Sequence, residues 1–368
     1  MAHDNMVATN RIYDIGTSVW LDDLSRDLLN GQGNFETFLL ERNILGITTN
    51  PAIFSAAISA GGDYDRQLEE LRKEGVSAEE AVYRMSIADV QQACDVIAPI
   101  YQDTNGRDGR VSIEVDPRYA HDEAKTIAQA RELWKQVGRR NAMIKIPATD
   151  ESLPAITTAL SEGISVNVTL IFSVDRYKQV IDVYKEGIKL AAKNGHDVEH
   201  IHSVASFFVS RMDVEVDKRL ETIGTDEALA LRGKAGIANA RLAYRLFLDS
   251  FNDLDELPPR ANKQRPLWAS TGVKNPEYPK NMYVVELAGP DTVNTMPMGT
   301  IDAVNDMDEL KGDTLTHGDE AAKQVFDGLE QVGIDMDDVI AVLEREGVEK
   351  FVTAWQDLLD STETNLNS

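Results

Sequence analysis

Short apolar runs rich in β-branched residues alternate along the chain with longer segments of helical period. Eight runs have the length and composition of β-strands: residues 18–21, 45–48, 111–115, 142–146, 164–170, 202–206, 266–270 and 291–295. Between most of them, apolar residues recur every three or four positions, which predicts amphipathic helices. These helical segments are residues 66–71, 78–98, 122–137, 175–193, 225–251 and 276–287, and the tail at 319–367 is also predicted to be helical.

Strands that alternate with helices predict a parallel sheet with right-handed crossovers. About eight strand–helix units in roughly 300 residues favour a closed barrel over an open doubly wound sheet. The sequence lacks G-x-G-x-x-G after a strand and lacks G-x-x-x-x-G-K-[ST], the two best signals for an open nucleotide-binding sheet. We therefore predict one α/β domain over residues 1–368, a TIM-type (β/α)8 barrel with additional helices that include a helical C-terminal extension.

The charge of the chain restricts the partners it can bind. The 368 residues include 37 Lys and Arg against 62 Asp and Glu, a formal net charge of −25. This excess argues against binding to nucleic acid or to an acidic membrane surface, although a few basic groups at one site can still bind an anionic metabolite. The single Cys94 excludes an internal disulfide and a Cys-based metal site. No apolar run approaches the roughly 20 residues of a membrane span, and residues 1–10 show no secretion signal, so we expect a cytoplasmic protein.

Polar residues end nearly every predicted strand, where barrel enzymes carry their reactive groups. They are Asp22, Thr48, Thr49, Asn50, Glu114, Asp116, Lys145, Asn167, Thr169, Ser206 and Ser270. Side chains two apart in a strand share a face, so Asn167 and Thr169 are expected to point the same way. Val166, Val168 and Leu170 are expected on the opposite face, packed under helices.

Lys145 is the most informative of these residues, because the predicted strand 142–146 is otherwise apolar. If Lys145 points inward, burial lowers the pKa of its ammonium group, and the neutral amine is a nucleophile for a ketone or aldehyde. Otherwise the side chain extends to solvent or pairs with a carboxylate. Glu114 and Thr169 suit proton transfer through a water molecule, and Asp22 suits the base of C–C cleavage. Arg211 follows a strand directly, at a position that suits an anion, although it also fits an exposed helix face.

The chain resembles the transaldolase family, and in particular its longer bacterial branch. The resemblance is carried in order by WLDD at 20–23, GITTNPAIF at 46–54, GRVSIEVDPR at 109–118, MIKIPAT at 143–149, ISVNVTLIFS at 164–173, SVASFFVSR at 203–211, LWASTGVKNP at 267–276 and ELAGPDTVNTMP at 286–297. Together these stretches span nearly the whole chain, and their combination is highly specific.

The resemblance implies a class I barrel enzyme that needs no metal and no cofactor. Such an enzyme moves a dihydroxyacetone unit between sedoheptulose 7-phosphate or fructose 6-phosphate and glyceraldehyde 3-phosphate or erythrose 4-phosphate, in the non-oxidative pentose phosphate pathway. Lys145 would form a Schiff base with the C2 carbonyl of the donor. Asp22 would take the C4 hydroxyl proton, and Glu114 with Thr169 would hold a water. The enzyme would be a monomer or a homodimer.

The resemblance also implies a set of substrate-binding residues. Asn50 and Asn167 would hydrogen-bond the enamine, Ser206 and Phe208 would line the sugar path, and Arg211 would bind phosphate. Ser270 belongs to the Ala-Ser pair that in better-known members is closely followed by a second phosphate-binding Arg. Here the segment continues to Lys274, which would replace that Arg as a point charge without its planar fork.

Two alternatives remain at this stage. One is a class I aldolase of the fructose-6-phosphate type, which releases free dihydroxyacetone by the same lysine chemistry. Relatives of that kind resemble shorter chains with a Tyr near the imine, whereas Glu114 and Phe208 follow the transferase pattern. The other is a phosphosugar-binding barrel without turnover.

Overall fold

The strands of the structure coincide with the eight apolar runs of the sequence, each within two residues at either end. The computed structural model describes residues 7–31, 34–307 and 310–367. Its strands are β1 (Thr17–Asp22), β2 (Gly46–Thr48), β3 (Arg110–Glu114), β4 (Ala142–Pro147), β5 (Val166–Ile171), β6 (Ser203–Phe208), β7 (Arg265–Ala269) and β8 (Thr292–Met296). Each strand pairs in parallel with the next, and β8 pairs with β1, so the sheet closes in chain order. The predicted (β/α)8 barrel is confirmed.

Helices surround the barrel and cover its ends. They are α1 (Ala8–Ile15), α2 (Arg26–Asn30), α3 (Phe35–Glu41), α4 (Pro51–Ser59), α5 (Asp65–Glu74), α6 (Ala78–Asp103), α7 (Glu123–Val137), α8 (Leu153–Ser161), α9 (Val174–Lys193), α10 (Ser210–Ile223), α11 (Asp226–Leu229), α12 (Ala235–Ser250), α13 (Met282–Val285), α14 (Met298–Asn305), α15 (Asp319–Gln331) and α16 (Met336–Asn367). Two 3₁₀ turns lie at Pro117–Tyr119 and Val198–His200. Within the described ranges, no helix is long and apolar enough to cross a membrane. Residues 1–6, part of the segment 1–10 in which no secretion signal is expected, lie outside the described residues.

Local sequence explains where several of these helices begin and end. Asp122 begins α7 by accepting a hydrogen bond from the backbone N–H of Lys125, and Gly138 ends it at φ 59°, in the left-handed region. Asn50 caps α4 in the same manner, and Pro51 follows at the first helical position, where no backbone N–H is needed. These signals place the turns directly after β2 and before β4.

Two predicted helices differ from the structure. The segment 225–251 is not one helix, because it breaks between α11 and α12 around Gly233, whose φ is 70°. The N–H of Gly233 donates to Asp217 Oδ1 at 2.9 Å, and a Cβ atom here would lie 2.9 Å from the Tyr278 ring. The segment 276–287 is helical only over α13, since its earlier half, which includes Pro279, forms turns. Seven helices of the described residues are absent from the sequence prediction: α1, α2, α3, α4, α8, α10 and α14.

The amino ends of the strands are closed by buried charges. Asp108 is fully buried and accepts hydrogen bonds from Ser18 Oγ at 2.8 Å, Trp20 Nε1 at 2.9 Å and Arg265 Nη2 at 3.0 Å. Arg110, also fully buried, donates from Nε to the Gly106 carbonyl oxygen at 2.7 Å. Because a buried charge needs partners of this kind, the network seals this end and leaves the carboxyl ends of the strands for a site.

Candidate active site

The amine of Lys145 lies inside the barrel, near the carboxyl ends of the strands. Lys145 is opposite Glu114 in the β3–β4 register, and both side chains are buried. Lys145 Nζ donates a hydrogen bond to the Thr49 carbonyl oxygen at 3.0 Å and lies 3.6 Å from Glu114 Oε2. The latter distance is an ion-pair contact rather than a hydrogen bond. The side chain therefore points inward and is held between β2 and β3, away from bulk solvent.

Burial changes the acidity of both carboxyl groups near Lys145. Desolvation raises the pKa of Glu114 to about 7, and the opposing attraction of Lys145 is smaller. Desolvation also raises the pKa of Asp22, against the positive charge of Lys145 and a hydrogen bond from Thr48. Glu114 can therefore both accept and donate a proton near neutral pH.

Two threonines orient the carboxylate of Asp22. Thr48 Oγ1 donates to Asp22 Oδ1 at 2.9 Å, and Thr48 Oγ1 lies 2.6 Å from Thr295 Oγ1. Because a hydroxyl has one hydrogen, Thr295 donates to Thr48 when Thr48 donates to Asp22. This chain of hydroxyls links β8, β2 and β1 and fixes the direction of the carboxylate.

Asn167 on β5 is held in one amide orientation by side chains of β3 and β6. Its Nδ2 donates to Ser112 Oγ at 3.1 Å, and its Oδ1 accepts from Ser206 Oγ at 2.7 Å. Thr169 Oγ1 and Glu114 Oε2 are buried and have no hydrogen-bond partner among the described residues. Buried polar atoms normally have a partner, so these two oxygens are suited to a water or a substrate group.

A cavity of about 180 Å³ opens over these residues and contains most of the side chains expected at a site. It is lined by Asp22, Asn50, Lys145, Ser206, Phe208, Arg211, Ser270 and Lys274 from the sequence prediction. Glu114, Asn167 and Thr169 do not line it. Glu114 contacts Lys145 and Asn167 contacts Ser206, so these two lie one contact away from the cavity.

The basic groups expected to bind an anion share this cavity. Arg211 Cζ lies 5.1 Å from the centre of the Phe208 ring, and burial lowers the pKa of its guanidinium. Its Nη1 is buried without a partner in the described part of the chain. Lys274 lines the same cavity, and its charge acts to lower the pKa of Asp22. An acidic protein thus gathers two cations where a phosphate could be bound.

Two residues depart from the positions that strand alternation predicts. Asp116 lies beyond the end of β3 and binds the guanidinium of Arg118, so it takes no part in the cavity. The register of β5 shifts between Val168 and Ile171, and Leu170 has a φ of 60°. Leu170 therefore does not share a cluster with Val166 and Val168, and it packs with Phe172 and Phe208 and lies close to Gly347 of α16. The expectation that Leu170 shares the face of Val166 and Val168 is wrong, because a bulge reverses alternation locally.

Other lining residues were not foreseen as parts of a site. Thr271, Gly272, Thr295 and Pro297 follow or end strands, so the strand-end rule could have found them. Phe351 comes from α16, far from any strand in sequence, and only the packing of that helix brings it to the cavity. Among the residues with described positions, no group of three or more His, Cys, Asp and Glu side chains could hold a metal ion.

The fold and the site together define a class of protein: a (β/α)8 barrel with a buried lysine beside two carboxylates at the carboxyl ends of its strands. The family model described as Transaldolase/Fructose-6-phosphate aldolase matches residues 19–362. The chain belongs to this transaldolase and fructose-6-phosphate aldolase family, as its sequence motifs predicted.

Bacterial relatives match the chain over almost its full length. A protein named transaldolase from Mycolicibacterium smegmatis is 55% identical over 356 residues, which cover 96% of this chain and 96% of that protein. Transaldolases from Mycobacterium ulcerans and Mycobacterium tuberculosis are 56% and 54% identical over 357 residues, covering 96% of this chain and 95% of each relative.

Proposed function

We propose that this protein is a transaldolase that carries a dihydroxyacetone unit as an imine on Lys145, in the non-oxidative pentose phosphate pathway. The donor is fructose 6-phosphate or sedoheptulose 7-phosphate, and the acceptor is erythrose 4-phosphate or glyceraldehyde 3-phosphate. The proposal depends above all on the buried Lys145 amine, 3.6 Å from Glu114 and in one cavity with Asp22. The names of the relatives, all transaldolase, support the same reaction.

Imine formation needs an amine without a proton and a group that moves protons. Glu114, with its pKa raised to about 7, takes a proton from the Lys145 ammonium, and the amine attacks the C2 carbonyl of the donor. Glu114 then returns a proton to the carbinolamine hydroxyl, which leaves as water. Thr169 Oγ1, unpaired and buried, holds that water beside Glu114.

Cleavage of the donor needs a base at its C4 hydroxyl. Asp22 takes that proton, the C3–C4 bond breaks, and its electron pair moves into the iminium to give a neutral enamine. The aldehyde product then leaves. Burial raises the pKa of Asp22 and so makes it a stronger base, while Thr48 holds its carboxylate in position.

The enamine must remain bound until an acceptor arrives. Asn167, held by Ser112 and Ser206, and the Nδ2 group of Asn50 hydrogen-bond its hydroxyls. The Oδ1 of Asn50 is already used to cap α4, so its amide nitrogen is the group that turns to the ligand. The acceptor aldehyde takes the place of the departed one, and the steps run in reverse.

The phosphate of the sugar lies between the cations of the cavity. Arg211 supplies a guanidinium with an unpaired Nη1, and Lys274 supplies a point charge. Ser270, whose hydroxyl is 2.8 Å from Ser210 Oγ, lines the path, as do Ser206 and Phe208. The attraction of the partly buried guanidinium of Arg211 and the exposed ammonium of Lys274 for a dianion supports binding by an acidic protein.

We also propose a cytoplasmic protein of one domain over residues 1–368, as a monomer or a homodimer. The single cysteine, Cys94, is buried and unpaired, which suits a reducing compartment.

The family name also covers fructose-6-phosphate aldolase, so release of free dihydroxyacetone is the second candidate function. The two activities differ in their need for an acceptor. A transaldolase consumes fructose 6-phosphate fast only when erythrose 4-phosphate is present, whereas an aldolase consumes it at the same rate without an acceptor. Measuring loss of the donor with and without erythrose 4-phosphate separates them.

Borohydride reduction in the presence of fructose 6-phosphate tests the mechanism. We expect one reduced adduct, found by peptide mass mapping on Lys145, and no adduct and no turnover in Lys145→Ala. The matched control is Lys185→Ala, which removes a lysine whose amine pairs with Glu256 at 3.0 Å outside the barrel. An adduct at another lysine in the unchanged protein would contradict the imine on Lys145. The absence of any adduct would leave the non-catalytic barrel as the better account.

A further inference from the structure

The long C-terminal helix lies across the carboxyl ends of the strands. Helix α16 packs against α4 and α6 on one side of the barrel and against α10 and β5 on the other. Trp355 anchors it on α6, with its ring centre 5.0 Å from that of Tyr83. The helix therefore covers the mouth in which Lys145 lies.

A glycine allows the helix to approach the barrel closely. A Cβ atom on Gly347 would lie 3.0 Å from the Phe172 ring and 3.4 Å from Leu170, tighter than ordinary packing. Phe351 is one helical turn further on, on the same face as Gly347. The close approach at Gly347 therefore brings the Phe351 ring down to the cavity.

Phe351 lies near both the amine of Lys145 and the guanidinium of Arg211. Its ring centre lies 5.9 Å from Lys145 Nζ and 5.8 Å from Arg211 Cζ, and the residue is 6% exposed. The guanidinium of Arg211 thus has Phe208 and Phe351 as aromatic neighbours. The other residues that line the cavity lie in strands or within five residues of a strand's end, so Phe351 is the contribution of α16.

We propose that Phe351 closes the site over the enamine on Lys145 and favours transfer of the three-carbon unit over its release. The proposal rests on the function proposed above. Release needs two things from water: a proton on the enamine carbon and then a water molecule on the iminium carbon. The C–N bond then breaks, so that dihydroxyacetone leaves and Lys145 regains its amine. Transfer instead joins the same enamine carbon to the acceptor aldehyde.

The two outcomes therefore differ in their dependence on water at the mouth. An apolar ring over the amine displaces water from the position where it would attack the iminium, without blocking an acceptor held by its phosphate at Arg211. The ring belongs to α16 and faces Lys145 from outside the strands of the barrel. Closure by Phe351 thus acts on release more than on transfer.

The experiment measures a partition ratio in Phe351→Ala and Phe351→Leu. The ratio is the rate of dihydroxyacetone release from fructose 6-phosphate alone, divided by the rate of transfer to erythrose 4-phosphate. We expect Phe351→Ala to raise this ratio about tenfold, the order that an apolar group in a pocket contributes to discrimination. Phe351→Leu keeps most of the apolar volume and should stay close to the unchanged protein.

Leu358→Ala is the matched control for loosening of the helix. Leu358 lies two turns further along α16, is fully buried and belongs to a different apolar cluster. Its loss should lower stability and leave the ratio unchanged. The proposal is overturned if Phe351→Ala leaves the ratio unchanged, if Phe351→Leu raises it as much as Ala does, or if Leu358→Ala raises it equally. If Phe351→Ala does not fold, Phe351→Val, which removes the ring and much of its apolar volume, replaces it and must raise the ratio above that of Phe351→Leu.

Borohydride trapping separates this proposal from the function on which it rests. If the unchanged protein forms no adduct on Lys145, the proposed function fails. If the unchanged protein and all variants form the adduct while the ratio stays constant, the role of Phe351 fails and the imine mechanism stands.

Discussion

The raised pKa of Glu114 predicts that this residue makes the stability of the protein fall as pH rises. In the folded state, burial raises the pKa of Glu114 to about 7 from its ordinary 4.5, despite the nearby Lys145. At pH values between 4.5 and about 7, Glu114 is mostly protonated in the folded protein and mostly ionised in the unfolded chain. Stability contributed by the protonated carboxyl is therefore present at low pH and is lost as pH rises toward about 7.

Glu114→Gln removes the titration and keeps the shape of the side chain. A difference of one between folded and unfolded pKa values corresponds to roughly 1.4 kcal/mol. From about pH 5 to about pH 8, the free energy of unfolding should therefore fall by about 2 to 3 kcal/mol more in the unchanged protein than in Glu114→Gln.

Urea denaturation across this pH range measures that difference. Glu227→Gln is the control, because it removes a negative charge from an exposed position on α11. The unfolding free energies of Glu114→Gln and the unchanged protein should diverge as pH rises, while those of Glu227→Gln and the unchanged protein should run parallel. Parallel curves for Glu114→Gln as well would refute the assignment of a raised pKa to Glu114.

The cations and the buried charges lead to two more predictions. Lys274→Ala should raise KM for fructose 6-phosphate about tenfold through loss of a charged contact, and should change KM for unphosphorylated fructose much less. Equal effects on both donors in steady-state assays would contradict a phosphate contact. Asp108→Ala should lower the unfolding free energy by about 3 to 5 kcal/mol, because it leaves Arg265 buried without its carboxylate. Asp95→Ala removes an exposed partner of Arg139 and should lower the unfolding free energy by about 1 kcal/mol or less in the same denaturation series. An equal loss of unfolding free energy in Asp108→Ala and Asp95→Ala would argue against a special cost of burying the charge of Arg265.

The barrel could be predicted from the sequence because its strands are buried on both sides. Such strands appear as short apolar runs, and their regular alternation with helices leaves few topologies. The polar residues that interrupt those runs also indicated where the cavity lies, since Asp22 and Lys145 line it and Glu114 contacts Lys145. Family motifs then assigned them roles, which stay proposals for this chain.

Apolar periodicity was less reliable where tertiary contacts compete with it. The pattern over 225–251 continues through the turn that separates α11 from α12, because apolar residues on both sides of Gly233 are buried. The turn itself is held by Asp217 and by the Tyr278 ring, which come from distant parts of the chain. The position of Leu170 was also missed, because no residue pattern near Leu170 indicates the register shift in β5.

The sequence alone indicated the eight strands, a closed barrel and the polar residues at the strand ends, because apolar runs that alternate regularly with helical segments are visible in the order of the residues. Only the tertiary structure decided that Lys145 is held by the Thr49 carbonyl, that burial raises the pKa of Glu114, and that Phe351 reaches the mouth. Those properties depend on the distance and desolvation produced when segments far apart in the chain pack together. A pattern of apolar and polar positions contains neither distances nor solvent exclusion at a single atom.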